Sequence, residues 1–100
     1  MNPRAGQAAN PTDQSSELTR TRLYVRDTFL YMRPGFVLGD DDRLLERGII
    51  DSMGVLELIA FLETEFGIVV GDEDVTEENL GTLASIGRYV ASRRRNGNAS

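Results

Sequence analysis

The chain contains 100 residues with a net charge of −5, and this length suits one small domain with a single modest core. It contains no Cys, which excludes a disulfide framework, a thiolate nucleophile and a Cys-ligated metal. It also contains no His, which excludes a Ser-His-Asp triad and leaves any enzymatic chemistry to carboxylates.

Negative charge is concentrated in the middle of the chain. Residues 40–78 contain thirteen acids and two arginines, a net charge of −11, whereas the flanking segments are weakly basic. Such a field repels nucleic acid and favours encounters with basic protein surfaces. No apolar run is long enough to cross a bilayer and the N-terminus lacks a signal-peptide core, so we expect a cytoplasmic protein without a membrane span.

The N-terminal third is predicted to contain a leader and one helix. Residues 1–16 are small and polar with two prolines, which predicts a disordered leader. The first helix is predicted to be capped by Ser15 or Ser16, to carry Glu17 in its first turn and to end near Arg33, before Pro34. Its core side is expected to contain Leu18, Val25, Phe29 and Met32.

A long connection follows over residues 34–51. Its scattered apolar residues indicate a loop fixed to the domain, with Leu44 and Leu45 as the expected anchors. The triplet Asp40-Asp41-Asp42 suggests a cation site, but the alternating spacing and distal Glu of a calcium loop are absent. A solvated acidic turn is therefore the favoured interpretation of the triplet.

The second helix is predicted from Ser52 to Phe66, ended by Gly67 in a left-handed conformation. Asp51 and Ser52 are both good N-cap residues, so Ser52 has a purely structural explanation. The expected core stripe contains Val55, Leu58, Ile59, Leu62 and Phe66. The opposite side should expose Met53, Leu56, Glu57, Ala60 and Thr64.

Two large apolar residues on the solvent side of this helix, close to Ser52, predict a docking face with an acidic rim, although scattered exposed apolar residues are also ordinary. We define this docking face as Met53, Leu56, Glu57, Ala60 and Glu63.

The C-terminal part is predicted to contain a short helical turn and a last helix. Residues 68–70 are expected to cross under the helices, residues 72–75 to form the turn with Val75 inward, and residues 76–81 to form a loop. Thr82 should cap a helix that ends near Ser92, followed by a flexible basic tail over residues 93–100. The core residues of this helix are expected to be Leu83, Ile86 and Val90, with Tyr89 at the edge.

This order of elements, with an Asp-Ser pair at the start of the second helix, resembles the acyl carrier and peptidyl carrier protein family. The resemblance covers about residues 17–92 and is carried by the runs at 41–45, 48–53, 56–58, 65–68 and 72–74. It implies an all-α four-helix bundle with three longer helices, a short third helix and a long loop between the first two.

The family resemblance implies that Ser52 carries covalent 4′-phosphopantetheine, with Asp51 as the adjacent motif residue. The cofactor comes from coenzyme A through a phosphopantetheinyl transferase, and its thiol holds an acyl or aminoacyl group as a thioester. The protein would then be a monomeric carrier, not an enzyme, whose other partners are activating ligases and downstream transferases or synthases with basic docking surfaces. A carrier without Cys obtains its thiol from the cofactor.

The sequence departs from the common family pattern at Met53 and Gly54. Asp-Ser-Met-Gly is similar to D-alanyl carrier proteins and to stand-alone peptidyl carriers, which favours a dedicated carrier loaded by an adenylating ligase over a fatty acid or polyketide carrier. Two other functional classes are considered, a serine hydrolase and an unmodified acidic helical adaptor. The hydrolase is disfavoured because the chain has no His and lacks the first glycine of a nucleophile elbow. In the adaptor, Ser52 would be only a helix cap.

Overall fold

The protein folds as a helical bundle. The computed structural model describes the backbone of residues 14–99 and the side chains of residues 16–94. The helices are α1, Gln14–Phe29; α2, Ser52–Phe66; α3, Glu77–Leu80; and α4, Leu83–Ala99, with a 3-10 turn at Asp72–Asp74. No strand occurs within residues 14–99, so the predicted all-α class is confirmed. Most of the predicted leader, residues 1–13, lies outside the described residues.

Helix α1 packs along α4, and α2 and α3 also contact α4. The buried core is built from all of these helices and from the loop between α1 and α2. Its large, fully buried side chains include Val25, Leu44, Leu58, Leu62, Leu83, Ile86 and Val90. The expected core residues Val55 and Ile59 of α2 are only partly buried against it.

Helix α1 differs from its prediction at both ends. It begins at Gln14, so Ser15 and Ser16 lie within the helix and not at the predicted cap position, whereas Glu17 lies in the first turn as expected. It ends at Phe29, and the chain continues in turns in which the Arg33 N–H donates to the Leu30 carbonyl at 2.9 Å. Since the helical spacing no longer applies beyond Phe29, Met32 is 76% exposed and its predicted core position is wrong.

The loop between α1 and α2 is fixed to the bundle by backbone bonds and by α1 side chains. The Leu44 N–H donates to the Gly81 carbonyl at 2.9 Å, and the Ala84 N–H donates to the Asp40 carbonyl at 3.0 Å. Arg22 of α1 bonds both the Leu38 carbonyl and Asp40. Leu44 is buried as predicted, but Leu45 is 44% exposed, so only one of the two expected anchors is correct.

Helix α2 has the predicted bounds. Gly67 ends it with φ 68°, in the left-handed region that glycine tolerates, and its N–H donates to the Glu63 carbonyl at 3.0 Å. Beyond it, Ile68 and Val70 are buried while Val69 is exposed, which fits the predicted crossing segment.

The C-terminal third contains a helix that the sequence analysis interpreted as loop. Thr76 caps α3 by accepting a bond from the Asn79 N–H at 3.1 Å, and Val75, expected to point inward, is 39% exposed. Thr82 caps α4 as predicted, since its hydroxyl accepts a bond from the Ser85 N–H at 3.0 Å.

Helix α4 continues through Ala99 and does not end near Ser92. Arg94 pairs with the fully buried Glu17 of α1 at 2.5 Å, and Arg93 donates to the Val69 carbonyl at 3.2 Å. These two arginines therefore contact other parts of the bundle and do not interact only with the C-terminal end of their own helix. None of the helices within residues 14–99 combines the length and the apolar character that crossing a bilayer requires.

Candidate functional site

The site is built at the first turn of α2, and its foundation is the residue pair just before it. Ile49 and Ile50 are both 4% exposed and join the core, which holds the chain in place immediately before the helix. Asp51 follows in extended conformation, and its Oδ1 accepts a bond from the Gly54 N–H at 2.8 Å. Asp51 is therefore the N-cap, and Ser52 is the first residue of the helix.

This geometry overturns the interpretation of Ser52 as only a cap, because the capping bond belongs to Asp51. The Ser52 side chain is exposed, and its hydroxyl has no hydrogen-bond partner among the residues whose side chains are described. A free hydroxyl at a fixed position is accessible to an external enzyme. Nothing beside it activates it as a nucleophile, since the chain has no His and the Asp51 carboxylate accepts the capping bond.

Gly54 allows the first turn of α2 to lie against the end of α1. A Cβ at this position would stand 2.9 Å from Phe29 Cε1 and 3.3 Å from Ile50 Cβ, both closer than ordinary contacts. Gly54 is itself buried. The departure from the polar residue common in the carrier family thus has a packing reason, which the sequence alone did not reveal.

An apolar cleft of about 120 Å³ opens beside this turn. Its lining includes Ile50 and Val55, which stand on either side of the Asp51–Gly54 turn in the sequence, and residues of the segment that leads into α3. The lining residues are Leu45, Ile50, Val55, Val75, Thr76, Glu77 and Leu80. The sequence analysis did not predict the cleft, because it depends on how the loop and α3 are placed.

The predicted docking face lies on the solvent side of α2 only in part. Met53 is 72% exposed and Leu56 is 62% exposed, and Glu57 and Ala60 are also exposed. Glu63 differs, because it is half-buried and its Oε2 accepts a bond from the Val70 N–H at 2.9 Å. Glu63 therefore anchors the segment after α2 and is not a free rim charge.

Tyr24 of α1 contacts the helix that carries the docking face, and the sequence analysis did not identify this role of Tyr24. Its hydroxyl donates to the Glu57 carbonyl at 3.2 Å, and its ring stacks on Phe61 at 4.1 Å between centroids. Burial raises the pKa of the Tyr24 hydroxyl, and the Glu57 carboxylate adds to the rise. In the sequence, the contact is indicated only by an aromatic residue on each helix, Tyr24 on α1 and Phe61 on α2.

A family model described as "Phosphopantetheine attachment site" matches residues 29–90, a range that contains the whole of α2. The chain belongs to this family. A D-alanyl carrier protein from Abiotrophia defectiva is 32% identical over 53 residues, which are 53% of this chain and 67% of the relative. As a member of this family, the chain is a carrier protein and not an enzyme, and its cofactor is 4′-phosphopantetheine.

The first turn of α2 fits a phosphodiester at Ser52. The N–H groups of Gly54 and Val55 already bond Asp51, at 2.8 and 3.1 Å, whereas those of Ser52 and Met53 have no acceptor one turn earlier in the helix. The partial positive charge of a helix start also favours an anion. When attached, the cofactor supplies a thiol, which this chain lacks.

The acidic triplet before α2 is organised by hydrogen bonds within the loop. Asp42 accepts a bond from the Gly39 N–H at 2.8 Å and pairs with Arg47 at 3.0 Å. The Gly39 N–H is the main cause that lowers the pKa of the Asp42 carboxyl, and Arg47 lowers it further. Within residues 14–99 no group of three acidic side chains could hold a metal ion. The turn is a structural element of the carrier protein.

Proposed function

We propose that Ser52 is the attachment site of 4′-phosphopantetheine and that the carrier protein presents an acyl or aminoacyl thioester to partner enzymes. The observation that carries the proposal is the free, exposed hydroxyl of Ser52 beside a cap made by Asp51. In this proposal the Ser52 oxygen forms a phosphodiester with the phosphopantetheinyl part of coenzyme A, and a phosphopantetheinyl transferase performs the reaction. The transfer takes place in the cytoplasm, where coenzyme A is available.

The docking face supports partner binding near this serine. Met53 and Leu56 offer exposed apolar area beside Ser52, and Glu57 adds negative charge. Interfaces of this kind bury apolar groups at their centre and gain association rate from complementary charge at their rim. The proposed partners are therefore the transferase, an activating ligase and downstream enzymes with basic surfaces around an apolar pocket.

We further propose a dedicated carrier that an adenylating ligase loads, in preference to a fatty acid or polyketide carrier. Two observations support this subtype: the Asp51-Ser52-Met53-Gly54 sequence and the similarity to a D-alanyl carrier protein. The modest volume of the cleft, about 120 Å³, suits a small cargo better than a long acyl chain.

The attachment is tested by incubating the purified chain with coenzyme A and a broad phosphopantetheinyl transferase and measuring the intact mass. The wild type should gain one phosphopantetheinyl increment and Ser52→Ala none. Ser16→Ala is the matched control, because Ser16 is an exposed serine in α1. If the wild type gains nothing, the unmodified-adaptor alternative replaces the proposal. If Ser52→Ala gains the increment equally, Ser52 is not the attachment site.

The subtype is tested separately on the modified protein. It is incubated either with D-alanine, ATP and a D-alanyl carrier ligase or with malonyl-CoA and a malonyl transferase, and the acyl mass is measured. Loading by the ligase and not by the transferase supports the dedicated carrier, and the reverse result supports the fatty acid or polyketide alternative.

A further inference from the structure

We infer that the chain just after α1 forms a second contact surface for the phosphopantetheinyl transferase, in which Arg33 pairs with an acidic group of that enzyme. The inference rests on the carrier function proposed above and deepens it. The transferase surface is then bipolar, basic where it meets Glu57 and acidic where it meets Arg33.

The second surface combines exposed apolar side chains with one cation. We define this α1-end surface as Tyr31, Met32, Arg33 and Val37. Its three apolar members are 68%, 76% and 82% exposed in chain order, and Arg33 is exposed as well. Residues 28–39 contain no acid, so Arg33 is their only charge. Single exposed apolar residues are ordinary, but a cluster of them with Tyr, Met and Arg has the composition of a protein interface.

Arg33 is held in place without an acidic partner. Its guanidinium carbon lies 4.5 Å from the centre of the Phe36 ring. Two other arginines that contact Phe36 are already paired, since Arg47 bonds Asp42 at 3.0 Å and Arg26 donates to the Phe36 carbonyl at 3.3 Å. None of the ion pairs within the described part of the chain includes Arg33. Its charge is therefore available to a partner, and a side chain already held on a ring loses less freedom on binding.

The α1-end surface begins beside the turn that presents Ser52. A Cβ at Gly54 would stand 2.9 Å from the Phe29 ring, so the end of α1 touches the first turn of α2. Arg33 follows Phe29 by four residues, which span at most about 14 Å. A standard interface buries about 800 Å² on each protein, which is a patch about 16 Å in radius. A transferase that reaches the Ser52 oxygen with such an interface therefore also covers the α1-end surface.

The charges decide which enzyme surface fits. Glu57 on α2 and Arg33 after α1 have opposite signs, so a uniformly basic enzyme surface would attract the first and repel the second. Like charges that face each other across an interface weaken binding, and opposite charges fix the orientation of the partner. The fitting surface places an acidic side chain opposite Arg33 and apolar groups opposite Met32. Exposed ion pairs are weak, so loss of the Arg33 charge should raise the KM for the carrier protein by about two- to fivefold.

The contact is mapped by NMR on the isotope-labelled wild-type chain, to which the transferase is added without coenzyme A. The amide signals of the α1-end surface should change together with those of Met53 and Leu56. The signal of Val69, which is exposed beyond the opposite end of α2, should stay constant. This measurement does not depend on the folding of a variant. If only the α2 signals change, the second contact is overturned.

The kinetic test follows cofactor attachment by intact mass at several concentrations of the carrier protein. At low salt Arg33→Gln should raise the KM for the carrier protein by about two- to fivefold, and Arg33→Lys, which keeps the charge, should restore most of the wild-type value. Arg88→Gln is the matched control, because Arg88 is also exposed but lies in the groove between α3 and α4. The effect of Arg33→Gln should shrink at about 1 M salt, where charges are screened within about 3 Å.

The apolar part of the surface has its own pair of variants. Met32→Ala should raise the same KM, because an exposed side chain at the proposed contact is removed, whereas Val69→Ala should not. Equal KM values for these two variants would contradict an apolar contact at Met32.

The two proposals fail in distinguishable ways. If the wild type gains no phosphopantetheinyl increment, the carrier function fails. If the wild type is modified but Arg33→Gln and Arg88→Gln have the same KM for the carrier protein, the second contact is overturned and the carrier function stands. A change only in the KM for coenzyme A would assign Arg33 to the phosphates of coenzyme A, and it would likewise overturn the contact with the enzyme.

Discussion

Replacing Asp51 and Ser52 by alanine, one at a time, should separate helix capping from cofactor attachment. Asp51 accepts the Gly54 N–H at 2.8 Å, and loss of such a cap costs about 1 kcal/mol of stability. For a domain of this size, that loss lowers the melting temperature by about 4–8 °C. Asp51→Asn keeps an acceptor oxygen and should recover most of the stability.

Ser52→Ala should have the opposite profile. The hydroxyl makes no described bond, and alanine has the higher helix propensity by about 0.5 kcal/mol. The expected change in unfolding free energy is therefore within about 0.5 kcal/mol, while cofactor attachment is lost entirely.

The assay is urea denaturation followed by far-UV circular dichroism, with intact mass after incubation with coenzyme A and the transferase. A Ser52→Ala variant as unstable as Asp51→Ala would show that the hydroxyl takes part in the cap. That result would refute the division of roles between the two residues.

Three further predictions test other contacts of the site and the bundle. Gly54→Ala should lower the free energy of unfolding in urea by about 1 kcal/mol. The new Cβ would stand 2.9 Å from Phe29 Cε1, and this overpacking outweighs the gain in helix propensity. An equal loss in a Phe29→Leu background would contradict this cause. Glu63→Ala should lower the free energy of unfolding by about 1–2 kcal/mol, because the bond from the Val70 N–H to the Glu63 carboxylate is lost. Glu57→Ala should leave the free energy of unfolding unchanged and slow partner loading at low salt. Equal stability of the two variants would contradict the anchor role of Glu63. Burial, followed by a hydrogen bond to a carboxylate, raises the pKa of Tyr89 to about 12, so its stabilising contribution is complete below pH 10, the ordinary value, and is lost as pH rises through about 12. The stability difference between wild type and Tyr89→Phe should therefore shrink over that range, which is readily measured because the chain has no Lys, and a constant difference would contradict the shift.

The second helix was the best predicted element because local signals mark both of its ends. Asp51 and Ser52 favour a helix start, and Gly67 favours a left-handed end, and the structure has both at these positions. The exposed side was also predicted correctly for Met53 and Leu56, because helical periodicity alone separates them from the core.

The C-terminal part of α4 makes contacts with distant residues. Helix α4 extends past Ser92, and its Arg94 pairs with Glu17, which lies 77 positions earlier in the chain. No local pattern records such a pair. The same holds for Glu63, since a periodicity argument places it on the surface but cannot show that its carboxylate binds the Val70 N–H.

The first turn of α2 is held by several independent contacts that leave one hydroxyl free. Ile50 is buried before the turn, Asp51 caps the turn, and Gly54 allows the turn to pack closely against Phe29. Each of these contacts fixes the backbone of Ser52 and none uses its side chain. A rigid backbone with an unengaged hydroxyl is what a modifying enzyme needs, because it must recognise a defined surface and reach one oxygen. Under the proposed function, the chain contributes the position of this hydroxyl, and the chemistry comes from the cofactor and from the partner enzymes.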